Sequence, residues 1–318
     1  MDKTVAAVYT LFSVEGFDED DSSTYIEGYF RIRGKDNLAE NLISLMEESD
    51  AIHRSNLAPF PIYCAMLCLM WNDFCEDRRK GIQKMQTFSE IFKEMISFLK
   101  QHYVSKVGGS LENQNMLDHM RDSGRAIQDI SEIALSGLLK KNRSFPEEQF
   151  RECHDAVETC RRVGILTTER DVISGERRRD INISSLVASK VSFPHKLVQE
   201  YIAGIHIAYL FANDVAKYKD VKKTLLSRPE EFRYVFYFAS ALGNELGLDI
   251  IEDLVKCSNQ YFCVDVALEC HTEEAARAVG ERWGKYNLTP SSSEHTVAGG
   301  VFMVRCNQVV SDIARISI

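Results

Sequence analysis

His195 is the residue of this 318-residue chain whose setting most invites chemistry. Val191 to Phe193 reads as a short strand, and Pro194 cannot continue a ladder but suits the first turn of a helix. A long apolar helix then runs to Asn213. That order puts His195 at a helix N-terminus, where backbone N–H groups and the helix dipole favour an anion. Leu197, Tyr201, Ile205 and Tyr209 repeat along the helix at four-residue spacing, and Val198, Ile202, Ile207, Ala208 and Phe211 widen the stripe, so burial on most sides is expected. Against that background the Gln199-Glu200 pair is the second polar feature. By residue type alone, a lone histidine near a helix start reads first as a cap or core group and second as a ligand. The positive helix end disfavours an imidazolium, so the chemistry open to His195 is that of a neutral ring donating one N–H to a phosphate.

Other reactive residue types are plentiful but unorganised. No G-x-S-x-G, H-E-x-x-H or paired-carboxylate pattern occurs, so the sequence argues against an enzyme. Cys64-x3-Cys68 would place two thiols on one helix face, but Leu67, Leu69 and Met70 surround them with apolar neighbours, and no metal is assigned. The nine cysteines are odd in number, and Cys160, Cys263 and Cys270 also fall in apolar-periodic helices, which points to a cytoplasmic protein with buried thiols. A G-x-x-x-x-G-K-[ST] phosphate loop is missing. Gly34-Lys35 is followed by Asp36, with Gly28 one residue out of register, and Gly284-Lys285 is followed by Tyr286.

The elements that position His195 follow from periodicity and punctuation. A formal charge of −9 and a pI near 5.5 argue against a general affinity for nucleic acid or anionic lipid. Thr4 to Val14 reads as a buried strand, the last of a sheet whose other strands would precede Met1; Glu15 and Asp18 to Asp21 follow it without a cleavage pattern, so no signal peptide is assigned. Asp18 to Asp21 then load the first turn of a helix through about Ile32. A second helix spans about Asn37 to Glu48. Ala58 to Trp71 is shorter than the ~20 residues a spanning helix needs and reads as a core helix starting at Pro59. Phe74 to Lys84 looks charged and loop-like. Helices follow from Phe88 to about Tyr103, over Met116 to Met120 and over Ile127 to Leu139, with a break at Gly108-Gly109-Ser110. Ser144 and Glu147 fit a capping box for a helix over Phe150 to Val163, ending at Gly164. Strand, hairpin around Gly175 and strand then complete the order of a winged helix. Short amphipathic helices continue to Trp283, TPSSS at Thr289 to Ser293 reads as a linker, and VSDIARISI at the end could start a leucine-rich repeat.

Three motifs in this order resemble the second half of the NACHT module of the NLR family, the nucleotide-binding, leucine-rich-repeat innate immune receptors. SVEGFDEDDSSTYIEGYF (Ser13 to Phe30) is similar to the segment that leaves the last sheet strand and opens the first helical domain. APFPIYCAMLCLMW (Ala58 to Trp71) resembles the NP-L-x-L-x-x-LC-L-x-W helix, with Ala58 where Asn or Thr is usual. SFPHKLVQEYIAG (Ser192 to Gly204) resembles the winged-helix F-x-H-x-x-x-QE-[FY]-x-A motif, in the version of inflammasome receptors. The resemblance covers about residues 5 to 290. It implies a mainly α chain with the last strand of a nucleotide-binding domain (1–17), a first helical domain (18–85), a winged-helix domain with a small β-hairpin (86–212), a second helical domain (213–290), and a linker with a possible repeat start (291–318). It also implies that Pro59 and His195 contact a bound ADP or ATP. The implied partners are an upstream nucleotide-binding domain and other NLR-type subunits in a signalling oligomer, with no nucleic acid and no membrane. Without a phosphate loop, tight nucleotide binding by this chain alone is not expected. The rival reading is a winged-helix DNA-binding protein with Arg177-Arg178-Arg179 at the wing tip. Against it, Arg151, Arg161 and Arg162 on the would-be groove helix are balanced by Glu152, Asp155 and Glu158.

Overall fold

The structure, a computed structural model, describes residues 16–48, 60–107, 113–172, 187–283 and 294–306. The expected strand at Thr4 to Val14, Pro59, the break at Gly108-Gly109-Ser110, the hairpin tip with Arg177 to Arg179, the TPSSS linker and the terminal VSDIARISI lie outside the described residues. The chain is mainly helical, as expected, with one small antiparallel sheet among the described residues. It divides into two compact units, the first ending at Met85 and the second beginning at Gln86. No helix among the described residues is long and apolar enough to cross a membrane.

In the first unit, α1 (Glu19–Arg31) starts where the acidic run predicts. Asp18 caps it by accepting from the Asp21 backbone N–H at 2.7 Å, and Asp21 accepts in return from the N–H of Asp18. α2 (Asp36–Glu48) and α3 (Pro61–Asp73) follow, with Leu42, Cys64, Leu67 and Trp71 in their shared core. The α3 helix begins at Pro61 instead of Pro59, because the extended Phe60 that precedes a proline cannot be helical and Pro61 fills the first helical position. A correction concerns 74–84, which is not a loop: α4 (Glu76–Gln83) forms there. Its charge density hides the anchors. Phe74 and Ile82 are buried, Glu76 and Asp77 complement the dipole, and Glu76 pairs with Lys80 at 2.6 Å.

The second unit opens with α5 (Phe88–Val107), α6 (Asn113–Asp129) and α7 (Ser131–Leu139). The patterns at Met116 to Met120 and from Ile127 thus join in one helix that breaks at Ile130, where the Ser131 hydroxyl turns back to the Gln128 carbonyl at 2.6 Å. Next come β1 (Ser144–Pro146), a 3-10 turn (Glu147–Cys153), α8 (His154–Val163), β2 (Thr167–Val172) and β3 (Val187–Ser192). The sheet order β1-β3-β2, all antiparallel, is winged-helix topology, with Val191 facing Phe145 on one side and Thr168 on the other. The capping box expected at Ser144 and Glu147 is not formed. Buried Phe145 packs edge-on against Phe150 and Phe193, at 5.9 and 6.1 Å between ring centres, and draws Ser144–Pro146 into the sheet. Glu147 instead pairs with Arg161 at 2.9 Å.

From β3 the chain enters α9 (Lys196–Asn213), the central helix of this unit. The four-residue row starts buried at Leu197 and Tyr201 but ends with Tyr209 46% exposed, since each such step turns about 40° on a helix of 3.6 residues. Helices α10 (Val215–Leu226), α11 (Arg233–Ser240), α12 (Asn244–Cys257), α13 (Gln260–Cys270) and α14 (Glu273–Trp283) stack beyond it. At the α9–α11 crossing a Cβ on Gly204 would stand 3.0 Å from the Phe238 Cβ and 3.2 Å from the Ala239 nitrogen, so any larger residue would push the helices apart by a few tenths of an ångström. One more helix, α15 (Glu294–Arg305), occupies part of the stretch read as linker and repeat start. Burial of Met303 and stacking of Phe302 on His271, at 4.9 Å, hold it to the second helical stack.

Candidate functional site

The site is built where β3 hands over to α9. Phe193 N–H donates to the Arg143 carbonyl at 3.0 Å, which fixes the end of the sheet against the α7–β1 loop. Pro194 ends the ladder, and His195, with extended backbone angles (φ −145°, ψ 149°), is the N-cap of α9. Its Nδ1 accepts from the Leu197 backbone N–H at 3.2 Å. A ring that accepts at Nδ1 carries its proton on Nε2 when neutral. Burial lowers the ring's pKa, and the nearby Arg143 guanidinium lowers it further, so the neutral form is favoured. His195 is therefore both a cap and a neutral Nε2–H donor.

The two residues one turn on are far more buried than polar side chains usually are. Gln199 is 0% exposed, and its Nε2 donates to the carbonyls of Ala134 at 3.1 Å and Asn142 at 2.9 Å, tying α9 to α7 and to the loop before β1. Gly137 makes room: a Cβ there would lie 2.3 Å from Phe145 Cζ and 2.6 Å from Gln199 Nε2. Glu200 is 1% exposed, with Oε1 3.1 Å from Lys196 Nζ. Burial pushes its carboxyl up to about 7 despite the opposing pull of Lys196. Sequence reasoning singled out this pair by its polarity but missed the tie from Gln199, whose partners lie 57 and 65 residues away.

Pro59 lies outside the described residues, so His195 alone of the two expected nucleotide contacts is placed. The thiols read as apolar fillers are all inside: Cys64, Cys68, Cys160, Cys263 and Cys270 are buried. Cys64 and Cys68 share a hydrogen bond that lowers the first thiol's pKa and, with burial, raises the second's. Among the described residues no group of three or more histidine, cysteine or carboxylate side chains is arranged to hold a metal. Ser131 and His206 Nδ1 stand 3.1 Å apart, but the serine hydroxyl already donates to Gln128 and both residues are buried. No family model matches this chain, and no curated protein is significantly similar to it.

Proposed function

We propose that this chain is the regulatory part of an NLR-like innate immune receptor, in which His195 donates through Nε2 to the diphosphate of an ADP held mainly by an upstream nucleotide-binding domain. The observation that carries the reading is the state of His195: neutral, capped at Nδ1, and seated at the start of α9 within a winged helix. The contact holds the closed arrangement, and its loss releases a form that assembles with other NLR-type subunits in the cytoplasm. A hydrogen bond to a charged group is worth about 1.5–3 kcal/mol, which shifts the closed-to-open ratio by roughly tenfold to a hundredfold when only the closed state makes it. The order of the three motifs supports the same reading. Pro59 is the second proposed nucleotide contact.

One feature weighs against the rival DNA-binding role. On α8, Arg161 is held by Glu147 at 2.9 Å and by Glu158 at 3.7 Å, and Arg162 by Glu158 at 3.1 Å, so the cations a groove reader needs are already paired. No catalytic role is proposed: without a phosphate loop the chain alone should neither bind ATP tightly nor turn it over. The test joins the chain to its nucleotide-binding domain and compares wild type with His195→Leu by size-exclusion chromatography with light scattering. The switch predicts more oligomer without ligand. A mutant that melts earlier yet stays monomeric would leave His195 as a cap only.

A further inference from the structure

A cavity of about 230 Å³ opens beneath the α7–β1 loop, between that loop, the first turn of α9 and a 3-10 turn at Pro229–Phe232. Its polar wall is Lys141, Arg143, Lys196, Gln199 and Glu231. We propose that this cavity binds inorganic phosphate or a small phosphate monoester.

The charge balance favours an anion. Three cations face one carboxylate, and Glu231 is already shared between Lys141 at 3.3 Å and Arg228 at 2.8 Å. Lys196 is partnered by Glu200, whereas the Arg143 guanidinium makes no ion pair or hydrogen bond among the described residues. A planar guanidinium beside two ammonium groups suits a tetrahedral oxyanion.

The loop is held rigid. Asn142 N–H donates to the Gly137 carbonyl at 2.8 Å, and the Asn142 carbonyl is taken by Gln199. Lys141 has φ 60°, a left-handed conformation that is costly for a lysine and persists only where the surroundings impose it. Lys141 and Arg143 are thus presented by a fixed backbone, which lowers the ordering cost of binding.

Gln199 supplies the chemical selectivity. Its Nε2 is fully used, but its Oε1, in a side chain that is 0% exposed, has no hydrogen-bond partner among the described residues. A buried acceptor without a donor is costly. Phosphate at neutral pH keeps a hydroxyl that can donate to Oε1 while its other oxygens face Arg143, Lys141 and Lys196; sulfate keeps none. The volume falls below the ~300–1,000 Å³ of sites that enclose drug-sized ligands, so the cavity takes a small ion and not a nucleotide.

Isothermal titration of the full chain at pH 7 and matched ionic strength, with inorganic phosphate and with sulfate, tests the proposal. Phosphate should bind with one site and about tenfold or more preference over sulfate, and Arg143→Ser and Lys141→Asn should each weaken it about tenfold, the loss of one charge-assisted bond. Asparagine tolerates the left-handed backbone and Arg143 is on the surface, so both variants should melt as wild type. Glycerol 2-phosphate binding alongside phosphate assigns the site to monoesters, and its exclusion assigns the site to the free ion. Absence of phosphate binding at millimolar concentration, equal binding of sulfate, or indifference to Arg143→Ser would each overturn the assignment.

Discussion

The Ser89 backbone N–H donates to the Glu269 carboxylate at 2.8 Å across 180 residues of sequence, and the same carboxylate accepts from Phe88 N–H at 3.1 Å. Glu269 on α13 therefore supplies the anion for the first turn of α5, where the second unit begins. Removing it leaves two N–H groups buried without an acceptor. Glu269→Ala should lower the unfolding free energy by about 2–4 kcal/mol in urea denaturation, and Glu269→Gln, which keeps one acceptor, by less. Equal and small losses in both would show that the clamp contributes little.

Glu200 gives the chain a pH dependence of a sign opposite to that of most carboxylates. Its folded-state pKa, pushed up to about 7 from an ordinary 4.5, means that folding takes up a proton between those values. This contribution to stability is therefore full below pH 4.5, falls as pH rises through 7, and is constant above. The penalty at pH 8 is on the order of 3 kcal/mol, at ~1.4 kcal/mol for each pH unit between 4.5 and about 7. Glu200→Gln should be more stable than wild type at pH 8 and close to it at pH 5. A mutant less stable at both pH values would mean that the ionised pair with Lys196 is favourable as it stands.

Thiol reactivity should divide by burial. Cys75 and Cys257 are exposed, whereas Cys160 and Cys263 are buried with thiols pushed up to about 12 by desolvation. A thiol-specific chromogenic reagent at pH 8 should label Cys75 and Cys257 within minutes and reach Cys160 and Cys263 only on unfolding. Mass spectrometry of the labelled peptides identifies the sites, and early labelling at Cys160 would contradict the packing described.

Gly137 is the position where one added methyl should do most harm. Its Cβ would meet Phe145, Gln199 and the Asn142 carbonyl, at 2.3, 2.6 and 2.8 Å, and none of the three can retreat without breaking the Gln199 tie or the aromatic cluster of the sheet. Gly137→Ala should cost about 1–3 kcal/mol, the range for overpacking, although alanine is the better helix former. A neutral or stabilising result from thermal melts would show that α7 moves freely relative to α9.

Some of the architecture is legible residue by residue. Asp18 and Asp21 mark the start of α1, Gly164 in its left-handed conformation (φ 89°) ends α8, and the apolar rhythm of Glu273 to Trp283 matches α14 from end to end. Pro194 followed by an apolar helix suffices to place His195 at an N-terminus. These features depend on interactions within one or two turns of chain, which any reading of neighbouring residues captures.

The sequence by itself thus determined a mainly helical chain and the position of His195 as a helix cap. Only the tertiary structure decided that Ser144–Pro146 is a strand, because Phe145 is drawn in by Phe150 and Phe193 more strongly than Ser144 and Glu147 can cap a helix. It likewise made 76–83 helical, through the burial of Ile82. The ties from Gln199 to Asn142 and from Glu269 to Ser89, and the raised pKa of Glu200, depend on desolvation and on partners 57 to 180 residues away or packed from other helices. Local sequence carries no record of which distant groups will exclude water from a side chain, and that exclusion gives each of these polar residues its role.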